Sequence, residues 1–194
     1  MTDFEAMYRR DADPWSVRSA WYERRKRALL MAALPRERYR MALELGSGTG
    51  ETTRVLAARC DAVRAVDLSA TAVESSRQLL STDGMCNVDV AVMRLPEAWP
   101  LGEQEQADLI VVSELAYYFD DMALARFFAK CHASLAPAAD WAMCHYTRDF
   151  HDRCQPTHRL HDVVDAMPDL RRIVAHVDEA FRLDIWRRVP GGIR

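Results

Sequence analysis

The chain has 194 residues, enough for one domain with a sizeable core, and 49% of its side chains are apolar against 28% charged. A formal net charge of −3 argues against a dedicated nucleic-acid binder, which would present a basic surface. No apolar run approaches the roughly 20 residues of a membrane span, and "MTDFEAMYRRDADPW" lacks the apolar core of a secretory signal. The five cysteines, an odd number with no CxxC pair, read as free thiols in a reducing cytoplasm. The near-exclusive use of arginine, with only Lys26 and Lys130 as lysines, suggests a GC-rich bacterial source.

In chain order, Val17, Trp21, Ala28, Leu29 and Ala32 recur near helical spacing and predict one N-terminal helix over 15–33, ended by Pro35. Apolar runs then predict strands at 41–45, 62–67, 88–93, 107–113 and 140–146. Helices are expected at 50–59, 70–81 and 121–135, the last with Leu124, Phe127, Phe128, Cys131 and Leu135 on one face. This alternation implies a parallel sheet, because each parallel connection needs a crossover. The final segment, "RRIVAHVDEAFRLDIWRRV", reads as strands 172–177 and 181–187 joined by a turn too short for a crossover helix, so the last strand must be antiparallel. The expected fold is therefore α/β: a Rossmann-like, seven-stranded, mostly parallel sheet with an antiparallel last strand and helices on both faces. A dehydrogenase half would continue with another βαβ unit.

The loop "LELGSGTGE", residues 43–51, narrows the ligand. A tight turn from strand into helix lets backbone N–H groups face a polar ligand. The nicotinamide fingerprint G-x-G-x-x-G would need glycine at 51, where the chain has Glu51; its third glycine is Gly50. Carboxylates at 44 and 51 would repel a pyrophosphate, and no Gly-Lys-Ser/Thr follows as in a P-loop. S-adenosylmethionine has no phosphate, a cationic sulfonium, and an ammonium that suits a carboxylate such as Glu44. Asp67 ends "AVRAVD" 21 residues after Gly46, placed to accept from both ribose hydroxyls.

With these residues placed, the chain resembles the class I S-adenosylmethionine-dependent methyltransferases. More narrowly it resembles the nodulation protein S family, whose named member N-methylates the terminal glucosamine of a chitooligosaccharide. The resemblance rests on "DPW" at 13–15 with "WYERRKRALLMAALPRERY" at 21–39, "ALELGSGTGETTRVLAARCD" at 42–61, "ADLIVVSELAYYFDD" at 107–121 and "HVDEAFRLDIW" at 176–186. It implies that Glu44, Gly46, Ser47 and Gly48 meet the methionine end of the cofactor, and Asp67 with Leu68 the ribose. Met93, Arg94 and Leu95 would flank the adenine, although relatives often carry an acid there. Ser113 and Glu114 would lie beside the transferring methyl. The N-terminal helix, through Trp15, Trp21, Tyr22 and Arg25, would close over the cofactor. "LAPAAD" at 135–140 replaces the Pro-Gly-Gly turn common in class I enzymes.

Methyl transfer is a displacement at an already activated carbon, so the protein mainly aligns the reactants and frees a lone pair on the nucleophile. Glu114, Tyr117 and Tyr118 in "SELAYYF" follow the fourth strand, where ligands of open α/β sheets sit. His145, at the end of the fifth strand, is a further candidate base, since imidazole takes a proton near neutral pH. His151, Cys154, His158 and His161 carry spacings that one helical face could turn to a metal, but Pro156 interrupts them, so no metal site is expected. "RRKR" at 24–27 reads as a solvated helix face rather than an RNA track.

These readings describe a cytoplasmic bacterial enzyme, monomer or homodimer, that moves a methyl from S-adenosylmethionine to a small molecule and leaves S-adenosylhomocysteine. The acceptor class expected is an amine such as an amino sugar. The alternatives are a small-molecule O-methyltransferase with His145 or a tyrosine as base, an RNA methyltransferase, and a non-catalytic cofactor-binding protein. Neither a nucleic-acid nor a membrane partner is expected. One domain is anticipated: an N-terminal cap to 34, a cofactor-binding core over 35–146, a substrate-side lid over 147–170 and a hairpin over 171–194.

Overall fold

The computed structural model describes residues 2–189; Met1 and the last five positions of the expected hairpin segment, 190–194, lie outside the described residues. The first strand, β1 (Tyr39–Leu45), leads into α3 (Glu51–Ala57), β2 (Cys60–Asp67), α4 (Ala70–Thr82) and β3 (Val88–Val92). β4 (Ala107–Ser113), a single 3₁₀ turn (Ala116–Tyr118), α5 (Asp121–Ser134) and β5 (Leu135–Tyr146) follow. α6 (Thr157–Asp165), β6 (Leu170–Val177) and β7 (Phe181–Arg188) complete the order, and α1 (Phe4–Arg10) and α2 (Trp21–Ala33) precede it. The strands form one sheet in the order β3-β2-β1-β4-β5-β7-β6. All pairs from β3 to β5 are parallel, and β7 runs antiparallel to both β5 and β6.

Strand periodicity divides the core into two layers. Leu43, Leu45, Ile110, Val112, Trp141 and Met143 face one side, packed with Phe127 and Phe128 of α5 and Leu160 and Val164 of α6. Ala42, Leu109, Val111, Ala142 and Cys144 face the other, with Leu30 of α2, Leu56 of α3 and Val73 of α4. The central strands are therefore buried on both faces, as a parallel sheet requires. The chain runs outward from β1 to β3 and then returns to β4, which pairs with β1 up to Leu45 and Val112. Two loops thus leave adjacent strand ends in opposite directions, the crevice where open α/β sheets bind ligands.

The single N-terminal helix expected over 15–33 is two helices. Asp13 accepts from the backbone N–H of Val17 at 2.6 Å and of Arg18 at 3.1 Å, and Ser16 takes a positive φ of 52°. An aspartate that bonds nearby amides offers the backbone an alternative to helix, and here that alternative wins between α1 and α2. The expected turn at 135–140 is instead the start of β5. Ala138 sits at φ 59° where the β4–β5 register shifts, so the extra residues are taken up as a bulge rather than a loop. Pro156 caps α6 rather than kinking a longer helix, and the inward residues of α6 join the core.

Candidate active site

Gly46, Gly48 and Gly50 all take positive φ, 82°, 53° and 88°. At position 50 a Cβ would come within 2.3 Å of Ser76 Oγ, and at 48 within 3.0 Å of the Tyr8 hydroxyl. The loop therefore turns tightly against α4 on one side and carries α1 on the other. Gly48 N–H donates to Asp67 Oδ2 at 2.8 Å, and Ser69 N–H to Oδ1 at 2.9 Å. Burial pushes the Asp67 carboxyl up against those backbone donors. Glu44 is buried, and its Oε2 has no partner among the described residues; Ser47 Oγ is in the same condition. Burial, with Asp67 nearby, pushes the Glu44 carboxyl up to about 8. An orphaned buried carboxylate oxygen and hydroxyl are costly unless a ligand satisfies them, and the ammonium end of S-adenosylmethionine is a chemical fit.

Glu51 behaves otherwise than its sequence position implied. It is buried against Arg18 at 2.9 Å, Arg54 at 3.1 Å and Arg27 at 3.8 Å, so its charge is answered away from the loop's ligand face. The carboxylate left uncompensated is Glu44.

The N-terminal side chains expected over the cofactor make the following contacts. Arg25 pairs with Asp178 at 2.7 Å, in the turn between β6 and β7. Trp21 is 70% exposed beneath the Arg24 guanidinium. Tyr22 packs edge-on against Phe181 and Tyr146, and Trp15 against Tyr8. The residue over Gly48 is Tyr8, with Phe4 edge-on to Tyr118. Glu5 fastens α1 down: it accepts from Ser69 Oγ at 2.6 Å, Thr71 N–H at 3.2 Å and Thr71 Oγ1 at 2.8 Å, at the N-terminus of α4. These donors lower the Glu5 carboxyl to about 2. Of the residues expected to flank the adenine, Arg94 is exposed, while Met93 and Leu95 are half-buried against the core; Leu68 is half-buried beside Asp67.

At the end of β4, Ser113 is half-buried and Glu114 takes φ 56°. Glu114 Oε1 accepts from Lys26 Nζ at 2.7 Å; Oε2 accepts from the Tyr117 hydroxyl at 2.5 Å and from Tyr146 N–H at 3.0 Å. Lys26 also bonds Glu23 and lies 5.0 Å from the Tyr22 ring centroid. Burial alone would lower the Lys26 ammonium, but Glu114 and Glu23 outweigh it and push it up. Burial, then Glu114, drives the Tyr117 phenol well up, and burial does the same for Tyr118.

His145 is fully buried, with both ring nitrogens engaged. Nε2 accepts from Ala116 N–H at 3.4 Å and Nδ1 meets His161 Nε2 at 3.1 Å. Burial, then the neighbouring His161, drives it well below the ordinary histidine value. At this candidate base both ring nitrogens are thus taken up by partners within the fold. His151, Cys154 and His158 are exposed while His161 turns into the core. Among the described residues no group of three or more His, Cys, Asp or Glu side chains is placed to hold a metal ion. Likewise no described helix is long and apolar enough to cross a membrane.

Sequence alone singled out neither Tyr8 nor Asp184, and His161 stood out only as one of the His/Cys group over 151–161. Lys26 had a usable signal: it follows Tyr22 by one helical turn and is one of two lysines.

Sheet order, glycine loop and acidic tip of β2 together define a class I methyltransferase fold, whose donor is S-adenosylmethionine. The chain belongs to the methyltransferase domain family, whose model matches residues 42–138. It is 31% identical over 115 residues to nodulation protein S of Sinorhizobium fredii, an alignment covering 59% of this chain and 51% of that one. The chain thus spans about half the length of the curated relatives it matches. A crystal structure from Pseudomonas syringae that carries an assignment as a methyltransferase is 39% identical, with a TM-score of 0.75 over 87% of this chain and 100% of that one. The N-methyltransferase nodulation protein S of Bradyrhizobium japonicum, solved with S-adenosyl-L-homocysteine, shares the fold at 20% identity and a TM-score of 0.81, covering 96% and 99%.

Proposed function

We propose that the protein transfers a methyl group from S-adenosylmethionine to the nitrogen of a small-molecule amine, an amino sugar being the leading class. The observation that carries this reading is that the carboxylate of Glu114, at the end of β4, already holds an ammonium, that of Lys26, beside the Tyr22 ring. Carboxylate plus aromatic face is the chemistry that recognises an amine.

S-adenosylmethionine supplies the activated methyl. Glu44 and Ser47 would hold its methionine end, Asp67 its ribose, and Met93 and Leu95 its adenine. A neutral amine needs little base help against a sulfonium, whereas a phenol or alcohol needs a proton acceptor. His145 is closed off and the phenols of Tyr117 and Tyr118 are pushed up, so Glu114 is left to orient the nucleophile and hold its proton. The similarity to nodulation protein S supports the amino sugar within that class.

The test is a methyl-transfer screen over amino sugars, aminoglycosides and phenols, read as a one-methyl mass gain. Amines should gain methyl and phenols should not. Turnover of phenols alone, or of RNA at physiological salt, would overturn the reading.

A further inference from the structure

Asp184, His161 and His145 form a buried line of hydrogen bonds that ends on the backbone of the turn after β4. Asp184 Oδ2 and His161 Nδ1 are 2.8 Å apart, His161 Nε2 and His145 Nδ1 3.1 Å, and His145 Nε2 and Ala116 N 3.4 Å. All three side chains are 1% exposed or less.

The direction of this line follows from its last link. A backbone amide can only donate, so His145 Nε2 accepts and its proton sits on Nδ1. That N–H donates to His161 Nε2, which places the second imidazole's proton on its own Nδ1, facing the Asp184 carboxylate. Every link is satisfied by two neutral, Nδ1-protonated imidazoles and one ionised carboxylate. An extra proton on His145 would set N–H against N–H at Ala116. The carboxylate is held by Arg182 Nε at 2.6 Å, with Arg172 at 3.8 Å. The Tyr117 ring stands edge-on to His145, and Trp186 packs on His161.

We infer that His145, His161 and Asp184 are positioning residues for methyl transfer: they polarise one chain of hydrogen bonds that pins Ala116 N–H and so fixes the turn presenting Glu114 and Tyr117. Glu114 is held at positive φ, a conformation that persists only where the surroundings over-determine it, and Ala116 is two residues on. The three residues come from β5, α6 and β7, so the hairpin end of the sheet is coupled to the turn after β4. The inference rests on the reading that residues 113–118 line the acceptor site. Its test needs no acceptor and so fails independently of that reading.

Imidazole ¹⁵N shifts of the wild-type protein should report Nδ1-protonated neutral rings for both His145 and His161. Hydrogen exchange in residues 113–118 should quicken by at least tenfold in His145→Phe and His161→Phe. Exchange in α4, which does not pack on the turn, should hold in both. His145→Gln, which restores an acceptor for the amide, should recover protection. With an amine acceptor in hand, turnover of the Phe variants should fall on the order of tenfold to a hundredfold. An Nε2-protonated or cationic His145, or a 113–118 segment as protected in the Phe variants as in wild type, would overturn the inference. The shift measurement stands even where a variant fails to fold.

Discussion

Lys26 and Glu114 meet at 2.7 Å across 88 residues of sequence, fastening helix α2 to the end of strand β4. Lys26→Met keeps the buried stem and removes the ammonium, leaving Glu114 and Glu23 near each other without their cation. Removing one partner of a buried pair costs about 3–5 kcal/mol; Glu114 keeps 27% side-chain exposure, so a loss of about 2–3 kcal/mol is expected in urea unfolding. Lys26→Met combined with Glu114→Gln should lose less than the sum of the single changes, because the stranded charge is gone.

Glu44 sets a pH dependence whose sign is fixed by its raised carboxyl. The folded state keeps a proton up to about 8 that the unfolded state gives up near the ordinary glutamate value. Stability from this group is therefore fully present below that ordinary value and is lost as pH rises toward 8. Glu44→Gln should flatten the decline, seen as a melting temperature higher than wild type at pH 8.5. A ligand ammonium favours the ionised form, so binding S-adenosylhomocysteine at pH 7 should release a proton. Calorimetry in buffers of different ionisation enthalpy reads that release, and Glu44→Gln should abolish it.

What the sequence disclosed was set by local patterns. The strands at 107–113 and 140–146 and the helix at 121–135 lie within a few residues of β4, β5 and α5, since burial writes a period of two or 3.6 into the chain. The glycine loop was legible because its positive φ angles favour glycine. The break between α1 and α2 was not, because Asp13 decides it through side-chain bonds that no apolar period records. The surroundings of His145 were not legible for a related reason. Its state depends on His161, Asp184 and the Ala116 amide, which only the folded sheet brings together.

The glycine loop offers a comparison between two neighbouring positions. Alanine at 48 must adopt φ 53° and displace only the end of a side chain, the Tyr8 hydroxyl. The left-handed conformation alone costs about 1–2 kcal/mol. Alanine at 50 adds a clash at 2.3 Å with Ser76 Oγ and a contact at 3.1 Å with its backbone, so Gly50→Ala should destabilise more. Adding Tyr8→Phe should recover part of the Gly48→Ala loss and none of the Gly50→Ala loss, read as unfolding midpoints.

Arg25 separates what its sequence position suggests from what the fold does with it. Projected from the N-terminal stretch, it would close over the cofactor, and Arg25→Ala would then weaken S-adenosylhomocysteine binding. In the structure it spans from α2 to Asp178, whose carboxyl it lowers to about 2. The guanidinium is 40% exposed, so solvent screens the pair and little stability rides on it. Arg25→Ala should therefore leave S-adenosylhomocysteine affinity unchanged by titration calorimetry and barely shift the unfolding midpoint. Its measurable effect should be on Asp178, whose carboxyl titrates higher once the guanidinium is gone, as side-chain carboxyl ¹³C shifts would report. A marked loss of cofactor affinity in Arg25→Ala would return this side chain to the cofactor, and the contact with Asp178 would then belong to only one of two arrangements of α2.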